Sequence, residues 1–444
     1  MGAFVHKKVL TILSIAIIVS AMALIATDNN FPVNQMTSAA TAAPSTVWSI
    51  TWNRTYTASN LMEIDSVLQT PDGGYLLGGT SRDNSKIVIL KVDSSGNLLW
   101  NKTYDGVGNH LSKWLISTND GNYAIAGQYG GGFWLSKVDG DGNVLWNQTY
   151  IGNGFSWATS LTETSDGGYA LVGQTGSSLG QTHSSSIDAM GVVWILKTDD
   201  FGVEQWNNTL GLGVVWSVVQ NNDGGLAVAG TLTSDYLLMT TSSTGSLMWN
   251  KTYGSSDNDV CYSIVKTNNG GYALGGWMWL RSNGGGPNPA IVKTDASGNV
   301  EWTKYFGGGL ARYMAKTSDG GFALVGTKLV KADASGNDQW ETILQANASS
   351  VEGYSIIETQ DRGYAVAGYG GNMNGWIAKI TESTVYPSVT PTPTPEKPSA
   401  TPNQTPTPTV PEFSFWMALA LVSAATGSLA MTRKHRKFST KISH

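Results

Sequence analysis

Short runs of apolar and β-branched residues, bounded by Gly, Asn, Asp and Ser, fill the middle of the chain. The stretch KVDSSGNLLWNKTYDG, which begins at Lys91, returns as KVDGDGNVLWNQTYIG from Lys137 and as KTDASGNVEWTKYFGG from Lys293. A second signature, T-x-D-G-G-Y-A-L-x-G, recurs between these copies. The bounding residues accept the backbone angles of tight turns, and helical periodicity is absent from this part of the chain. The pattern therefore predicts an all-β protein built from a repeat.

The repeat can be counted from the Asp or Asn of D-G-G, which recurs at intervals of 42 to 57 residues. Each interval contains four strand-like runs, as does one blade of a propeller. In the fifth unit these runs are Val260–Lys266, Gly271–Trp277, Ala290–Lys293 and Val300–Tyr305. There are seven units, marked by Asp72, Asp120, Asp166, Asp223, Asn269, Asp319 and Asp361.

The last unit is incomplete, and the first is preceded by a surplus strand. The seventh unit stops after its third run, Gly375–Ile380, and lacks the W-N-x-T-Y run. That run occurs instead as Trp52–Tyr56, and Trp52 lies 20 residues before Asp72, as Trp100 does before Asp120. A strand that completes the last sheet closes the ring and removes its exposed edges. We therefore predict a seven-bladed β-propeller at 47–383, closed by its N-terminal strand.

The spacing D-x-x-G-x-x-x-W, as in Asp93, Gly96 and Trp100, resembles the tryptophan-docking repeats of quinoprotein-type propellers. This chain has one residue fewer between Asp and Gly than the family pattern, and Ser242 replaces the Asp in the fourth unit. The resemblance implies that each Trp wedges between neighbouring blades, which is a structural role and does not predict the quinone cofactor. The residues concerned are Trp52, Trp100, Trp146, Trp206, Trp249, Trp302 and Trp340.

The two ends of the chain predict its location. Lys7 and Lys8 precede an apolar run, which is typical of a secretory signal peptide, and a basic cluster follows a second apolar run. The repeats are then extracellular and anchored at the cell surface. We expect a signal peptide or membrane anchor at 1–26, a flexible spacer at 27–46, a Thr/Pro-rich stalk at 384–411, a transmembrane helix at 412–432 and a basic cytoplasmic tail at 433–444.

Pro411, Glu412 and Phe413, followed by an apolar run and a basic tail, resemble the PEF-type sorting signals of archaeal surface proteins. The resemblance implies an archaeosortase-type enzyme that cuts near the motif and replaces the helix with a lipid anchor. Retention of the helix is the alternative. Both predict a protein tethered to the membrane.

Residue types that carry chemistry are sparse in the repeats. The formal net charge is -5, and the two ends hold 8 of the 27 Lys and Arg residues but only 3 of the 32 acids, so the repeats are acidic and nucleic acid is not an expected partner. His110 and His183 lack metal-ligand spacing, and Cys261, the one cysteine, lies in an apolar strand. We therefore expect no metal, no cofactor and no catalytic residue; a pair of catalytic acids in a propeller would converge from different blades and leave no motif.

Length variation is concentrated in the link between the second and third strands of each blade. The other two links are regular turns on the opposite face, so we expect binding on the variable face. Aromatic residues near this face suggest a mouth over the channel that binds sugar rings or extended peptide; the alternative is that they pack between blades. The candidate residues are Trp114, Trp157, Trp216, Tyr262, Trp277, Trp279, Arg281, Tyr313, Tyr354 and His183.

Acceptor sequences for N-glycosylation follow the Trp of several outermost strands. Strand alternation places Asn and Thr opposite Trp and Tyr, which makes glycans sterically feasible. Duplication of W-N-K-T-Y explains the series equally well. The candidates are Asn53, Asn101, Asn147, Asn207, Asn250, Asn347 and Asn403.

The function predicted from these features is a membrane-tethered binding or cell-envelope module with a glycan or protein ligand. One alternative is a surface enzyme (polysaccharide lyase, hydrolase or quinoprotein-like oxidoreductase) with its site on the variable face. A second alternative is a glycosylated structural coat component.

Overall fold

The computed structural model describes residues 45–56, 61–81, 86–105, 115–177, 191–255, 257–281, 285–346, 349–370 and 374–385. These residues form seven four-stranded sheets and one two-stranded hairpin. The predicted segments at 1–26, 412–432 and 433–444 lie outside the described residues, as do most of the predicted spacer (27–46) and stalk (384–411). The last two residues of the spacer and the first two of the stalk belong instead to strands, Ser45–Tyr56 and Asn374–Val385. Within the described ranges, no helix has the length and apolar character needed to cross a bilayer.

Six blades are each made of four consecutive strands. Blade one is β2 (Leu61–Gln69), β3 (Tyr75–Ser81), β4 (Ile87–Val92) and β5 (Leu98–Tyr104). Blade two is β6 (Leu115–Ser117), β7 (Tyr123–Tyr129), β8 (Gly132–Val138) and β9 (Val144–Tyr150). Blade three is β10 (Phe155–Glu163), β11 (Tyr169–Ser177), β12 (Val192–Thr198) and β13 (Glu204–Leu212). Blade four is β14 (Val214–Gln220), β15 (Leu226–Leu232), β16 (Asp235–Thr241) and β17 (Leu247–Tyr253). Blade five is β18 (Asp259–Lys266), β19 (Tyr272–Leu280), β20 (Gly286–Thr294) and β21 (Val300–Tyr305). Blade six is β22 (Ala311–Lys316), β23 (Phe322–Gly326), β24 (Lys328–Ala332) and β25 (Asp338–Ile343).

Blade seven joins the two ends of the repeat region. After the hairpin of β26 (Gln345–Ala346) and β27 (Ser349–Ser350) it contains β28 (Glu352–Glu358), β29 (Tyr364–Gly370), β30 (Asn374–Val385) and β1 (Ser45–Tyr56). β1 is antiparallel to β30, with Trp52 opposite Lys379 and Tyr56 opposite Gly375. The predicted closed ring of seven blades is therefore confirmed, and its closing strand begins at Ser45 rather than at Trp52.

The hydrophobic core is divided into seven clusters, one between each pair of neighbouring blades. The middle strands β3 and β4 are buried at every position, because blades pack against both of their faces. The outer strand β5 instead alternates between exposed and partly buried residues. This burial explains why the middle strands read as continuous apolar runs while the outer strands alternate.

Tryptophan docking connects each outer strand to the next blade. A Cβ atom at Gly142 would lie 2.7 Å from the Trp100 ring, and Gly142 has a φ of +75°, so the turn and the ring together require glycine. The Tyr104 hydroxyl donates a hydrogen bond to the Gly142 carbonyl at 2.8 Å. The same ring-to-glycine contact joins Trp52 to Gly96, Trp146 to Gly202, Trp206 to Gly245, Trp249 to Gly298 and Trp302 to Gly336.

A buried lysine on the third strand holds the first turn of the same blade. Lys91 Nζ donates to Asp72 at 2.8 Å and to the Thr70 hydroxyl at 2.6 Å. The matching pairs are Lys137–Asp120, Lys197–Asp166, Lys331–Asp319 and Lys379–Asp361. Blade five has Asn269 in place of the Asp, and its Lys293 pairs with Glu301 at 2.6 Å instead. The Thr and Asp of the repeat signature are thus partners for a buried charge.

Candidate binding site at the central channel

The first strand of each blade lines the axis of the ring. First strands of neighbouring blades contact one another; β2, for example, contacts both β28 and β6. Within the residues that the structure describes, six of these strands contain a β-bulge, in which one extra residue lies five positions before the residue that opens the first turn. A bulge redirects the side chain of the extra residue. The extra residues are Asp65, Thr159, Trp216, Tyr262, Arg312 and Tyr354.

The bulge explains the last glycine of the signature T-x-D-G-G-Y-A-L-x-G. A Cβ atom at Gly276 would lie 2.0 Å from the Val260 carbonyl oxygen, and one at Gly368 would lie 1.9 Å from the Glu352 carbonyl oxygen. No side chain fits that space, so glycine is required where the bulged strand approaches its neighbour. The repeat signature therefore encodes a bulge in the channel wall as well as two turns.

Four of the extra residues, from consecutive blades four to seven, contact one another and form the channel arc: Trp216, Tyr262, Arg312 and Tyr354. The rings of Trp216 and Tyr262 have centroids 5.6 Å apart. The Arg312 guanidinium carbon lies 5.4 Å from the Tyr262 ring centroid and 5.9 Å from that of Tyr354. All four side chains are half-buried, so each is partly accessible to solvent. Stacked aromatic and guanidinium groups of this kind form a rigid surface.

The charge of Arg312 is balanced at the variable face. Arg312 Nε donates to Glu352 at 2.6 Å, and its Nη1 donates to the Tyr262 hydroxyl at 2.8 Å. The Tyr369 hydroxyl donates to the second oxygen of Glu352 at 2.9 Å. Burial alone would lower the pKa of Arg312, but Tyr262 and Glu352 raise it above its usual value. The guanidinium therefore stays charged and fixed.

The phenols beside this ion pair stay protonated. Burial, together with the charges of Glu352 and Glu63, raises the pKa of Tyr354 far above its usual value. Burial and the Glu352 carboxylate also raise the pKa of Tyr369. Both hydroxyls are therefore hydrogen-bonding groups at neutral pH and not proton acceptors in an acid–base reaction.

Among the residues that the structure describes, the other predicted aromatic candidates make no ring contact with the arc. Trp157 is 8% exposed and packs beside Phe155, with ring centroids 5.9 Å apart. Tyr313 packs into the core between blades six and seven. Trp277 is half-buried, and its indole nitrogen is buried without a hydrogen-bond partner among the described residues. Packing between blades thus describes Tyr313, whereas the ring contact of Trp157 is with a residue of its own strand.

The rim of blade five carries two further candidates. Trp279 is 37% exposed, and its backbone nitrogen donates to Asp259 at 2.9 Å. Arg281 forms an ion pair with Asp257 at 2.5 Å. No contact joins this pair of residues to the channel arc within the described ranges. Trp114 and His183 lie outside the described residues, as do Asn347 and Asn403.

Sequence reasoning missed Arg312 and Glu352, which complete the site. Arg312 could have been found by counting back five residues from Thr317, because that offset selects the extra residue in every blade with a described bulge. Glu352 has no such signal, since only its pairing opposite Tyr369 brings it to Arg312. Within the residues that the structure describes, no three His, Cys, Asp or Glu side chains are grouped to hold a metal ion.

The opposite, regular face of the ring carries a belt of contacts between blades. The Ser318 backbone nitrogen donates to Glu358 of the next blade at 2.6 Å, and Gln360 donates in the same way to Gln69 at 2.8 Å. A polar depression of about 480 Å³ lies beside these residues. Four of its lining residues, Gln69, Ser318, Glu358 and Gln360, already bond to one another in pairs between blades, which indicates a structural joint.

Comparison with solved structures places the chain among β-propellers. Its fold is similar to the WD40 domain of Neurospora crassa Pan2, with a TM-score of 0.55 and 9% identity over 77% of this chain and 96% of that one. It is also similar to the Kuenenia stuttgartiensis hydrazine synthase, with a TM-score of 0.52 and 13% identity over 74% of this chain and 98% of that one. At such identities the similarity shows the fold alone. Neither a protein-family model nor a curated protein sequence matches the chain.

Proposed function

We propose that this protein is a binding module of the cell surface that takes a glycan at the channel mouth through Trp216, Tyr262, Arg312 and Tyr354. The observation that carries the proposal is the continuous contact of these four half-buried side chains across four blades. Flat aromatic rings offer faces to sugar rings, and fixed polar groups beside them orient hydroxyls. Such preorganised aromatic and Arg side chains are typical binding anchors.

An enzymatic role has weaker support from the same residues. A cluster of Tyr, Arg and Glu is the type of constellation that sugar-cleaving chemistry uses, but a general base needs a pKa near the working pH. The pKa values of Tyr354 and Tyr369 are moved in the opposite direction. Glu352 is already bonded to Arg312 and Tyr369, which suits a holding role.

The surface location is part of the proposal and is supported by the sequence of the two ends. Export through 1–26, the stalk at 384–411 and anchoring at 412–432, with archaeosortase-type processing near Pro411–Phe413, would display the ring outside the cell. Protease treatment of intact cells should remove the propeller. Mass measurement of the mature C-terminus should then distinguish a cut near Phe413 from a retained helix, and a ring protected inside the cell would contradict the location.

The binding proposal is tested with a glycan array and the full-length protein. Trp216→Ala and Tyr262→Ala should each weaken binding at least tenfold, because each removes one face of the arc. Tyr305→Ala is the matched control, since Tyr305 is 45% exposed on the outer strand of blade five. Binding only to a peptide array would show that the ligand is a peptide rather than a glycan. Unchanged binding by both arc variants would contradict the proposed site.

A further inference from the structure

The outer strands of five blades present the same surface to solvent. On β5, Trp100 packs toward blade two, whereas Asn101 and Thr103 are exposed on the opposite side. Asn147, Asn207 and Asn250 are likewise exposed, and Asn53 is half-buried. These residues belong to blades seven, one, two, three and four, whereas blades five and six have Thr303 and Glu341 at the equivalent position.

Exposed aliphatic side chains stand next to three of these asparagines. Leu99 is 57% exposed, Leu145 50% and Met248 61%. Each is the extra residue of a β-bulge in its outer strand and lies two positions before the Asn. The outer strand has no further strand beyond it in any blade that the structure describes. An open edge with exposed aliphatics is a template for edge-to-edge association, which proteins normally block. In the other four blades the same position is polar and is occupied by Thr51, Gln205, Glu301 and Gln339.

We propose that N-linked glycans on the outer strands cover this edge, at Asn53, Asn101, Asn147, Asn207 and Asn250. The proposal rests on the extracellular location proposed above. The transfer uses a lipid-linked oligosaccharide: a bond forms between the Asn side-chain nitrogen and the first sugar carbon, and the bond from that carbon to the lipid phosphate breaks. The displaced lipid phosphate carries the electron pair, and the proton lost from the nitrogen is released. At Asn101, Asn147 and Asn250 the sugar would then stand beside an exposed aliphatic residue of the same strand.

The hydrogen bonds of the asparagines predict a difference in occupancy. The Asn207 amide nitrogen donates to Glu204 at 2.5 Å, and its oxygen accepts from the Trp194 indole at 3.1 Å. The side chains of Asn101, Asn147 and Asn250 have no hydrogen bond within the part of the chain that the structure describes. In the folded protein, Asn207 must lose two hydrogen bonds to become an acceptor, so its occupancy should be the lowest of these four.

The modification is tested by peptide mass spectrometry of the full chain. The chain is isolated first from the cells that naturally produce it and then from other cells that carry out N-glycosylation. Peptides with Asn101, Asn147 and Asn250 should carry an added oligosaccharide mass. Thr103→Ala should remove the addition at Asn101, and Thr103→Ser should keep it, because the acceptor sequence tolerates Ser. If protease treatment shows that the protein is outside the cell and its peptides are unmodified, the glycosylation proposal is wrong but the proposed location stands. An addition that survives Thr103→Ala would also overturn the assignment.

The covering role has a separate readout. Combining Thr103→Ala, Thr149→Ala and Thr252→Ala should make the purified protein self-associate, which light scattering would detect as a rise in mass of twofold or more. Thr342 lies on the outer strand of blade six, which has no acceptor sequence, so the control variant Thr342→Ala should leave the mass unchanged. A triple variant that remains as dispersed as the unmodified parent chain would overturn this role.

Discussion

Trp48 stacks on Trp340, with ring centroids 4.4 Å apart and ring planes 13° apart. Trp340 is the docking tryptophan of blade six, and the blade after it has no D-x-x-G turn to receive the ring, because the two ends of the repeat region meet there. A second tryptophan from β1 takes the place of the missing turn. The joint where the ring closes is thus built from one early and one late residue.

We expect Trp48→Ala to destabilise the protein more than any neighbouring exposed change. Loss of the stacked ring leaves Trp340 and Tyr364 without their partner, which should lower the free energy of unfolding by about 2–4 kcal/mol. Val47→Ala is the control, since Val47 is 43% exposed on the same strand. Denaturant unfolding followed by tryptophan fluorescence measures both. Equal stability of the two variants would show that the stack does not support the closure.

The docking turn offers a paired test within three residues. In Gly142→Ala the new Cβ would meet the Trp100 ring at 2.7 Å in a backbone with a φ of +75°, whereas Gly140 has open space and no positive φ. Gly142→Ala should therefore cost roughly 1–3 kcal/mol, and Gly140→Ala less than about 0.5 kcal/mol. Thermal unfolding of both variants decides the point. A tolerated Gly142→Ala would mean that the ring is not seated on this turn.

Acid should weaken the ring through the lysine-held turns. Hydrogen bonds from Lys91 and Thr70 lower the pKa of Asp72 to about 2. Because an unfolded Asp has a pKa of about 4, the folded state gains stability above that pH and loses it as the pH falls toward 2. The melting temperature should be steady above pH 5 and then fall between about pH 4 and pH 2.

Two matched variants test whether the loss of stability in acid comes from the Lys–Asp pairs. Asp72→Asn should lower stability at neutral pH and reduce the acid-dependent loss, because Lys91 then lacks a carboxylate. Asp223→Asn should have a smaller effect, since Thr240 stands where other blades place the lysine. A melting temperature that stays constant from pH 4 to pH 2, or equal effects of the two variants, would contradict the assignment.

Cys261 should not react in the folded protein. It is fully buried in β18, and burial raises the pKa of its thiol to about 12. At pH 8 the thiolate is absent and the sulfur inaccessible, so an alkylating reagent should add nothing to the native chain and one equivalent after denaturation. Rapid labelling of the native protein would show that blade five opens.

The architecture was predictable because each blade repeats its turn chemistry, and the spacing from Trp52 to Asp72 matches that within complete units. The binding surface was only partly predictable. A strand that alternates with period two would place aromatic residues by simple counting, but a bulge described in six of the first strands shifts that count by one. Tyr313, one position after the bulge of blade six, therefore packs into the core, while Arg312 enters the channel.

The closure of the ring by β1 and β30 is the claim on which the channel and its arc depend. In a Cys261→Ala background, we would introduce Ser49→Cys and Thr381→Cys, which replace residues that face each other in the register of these strands. Oxidation of the native full chain should give one intramolecular disulfide, and proteolysis should release a peptide pair that links positions 49 and 381. The control pair Ser49→Cys and Thr252→Cys, with the second cysteine on blade four, should give none. No link between 49 and 381, or equal linking of the control pair, would contradict a ring closed by its first strand.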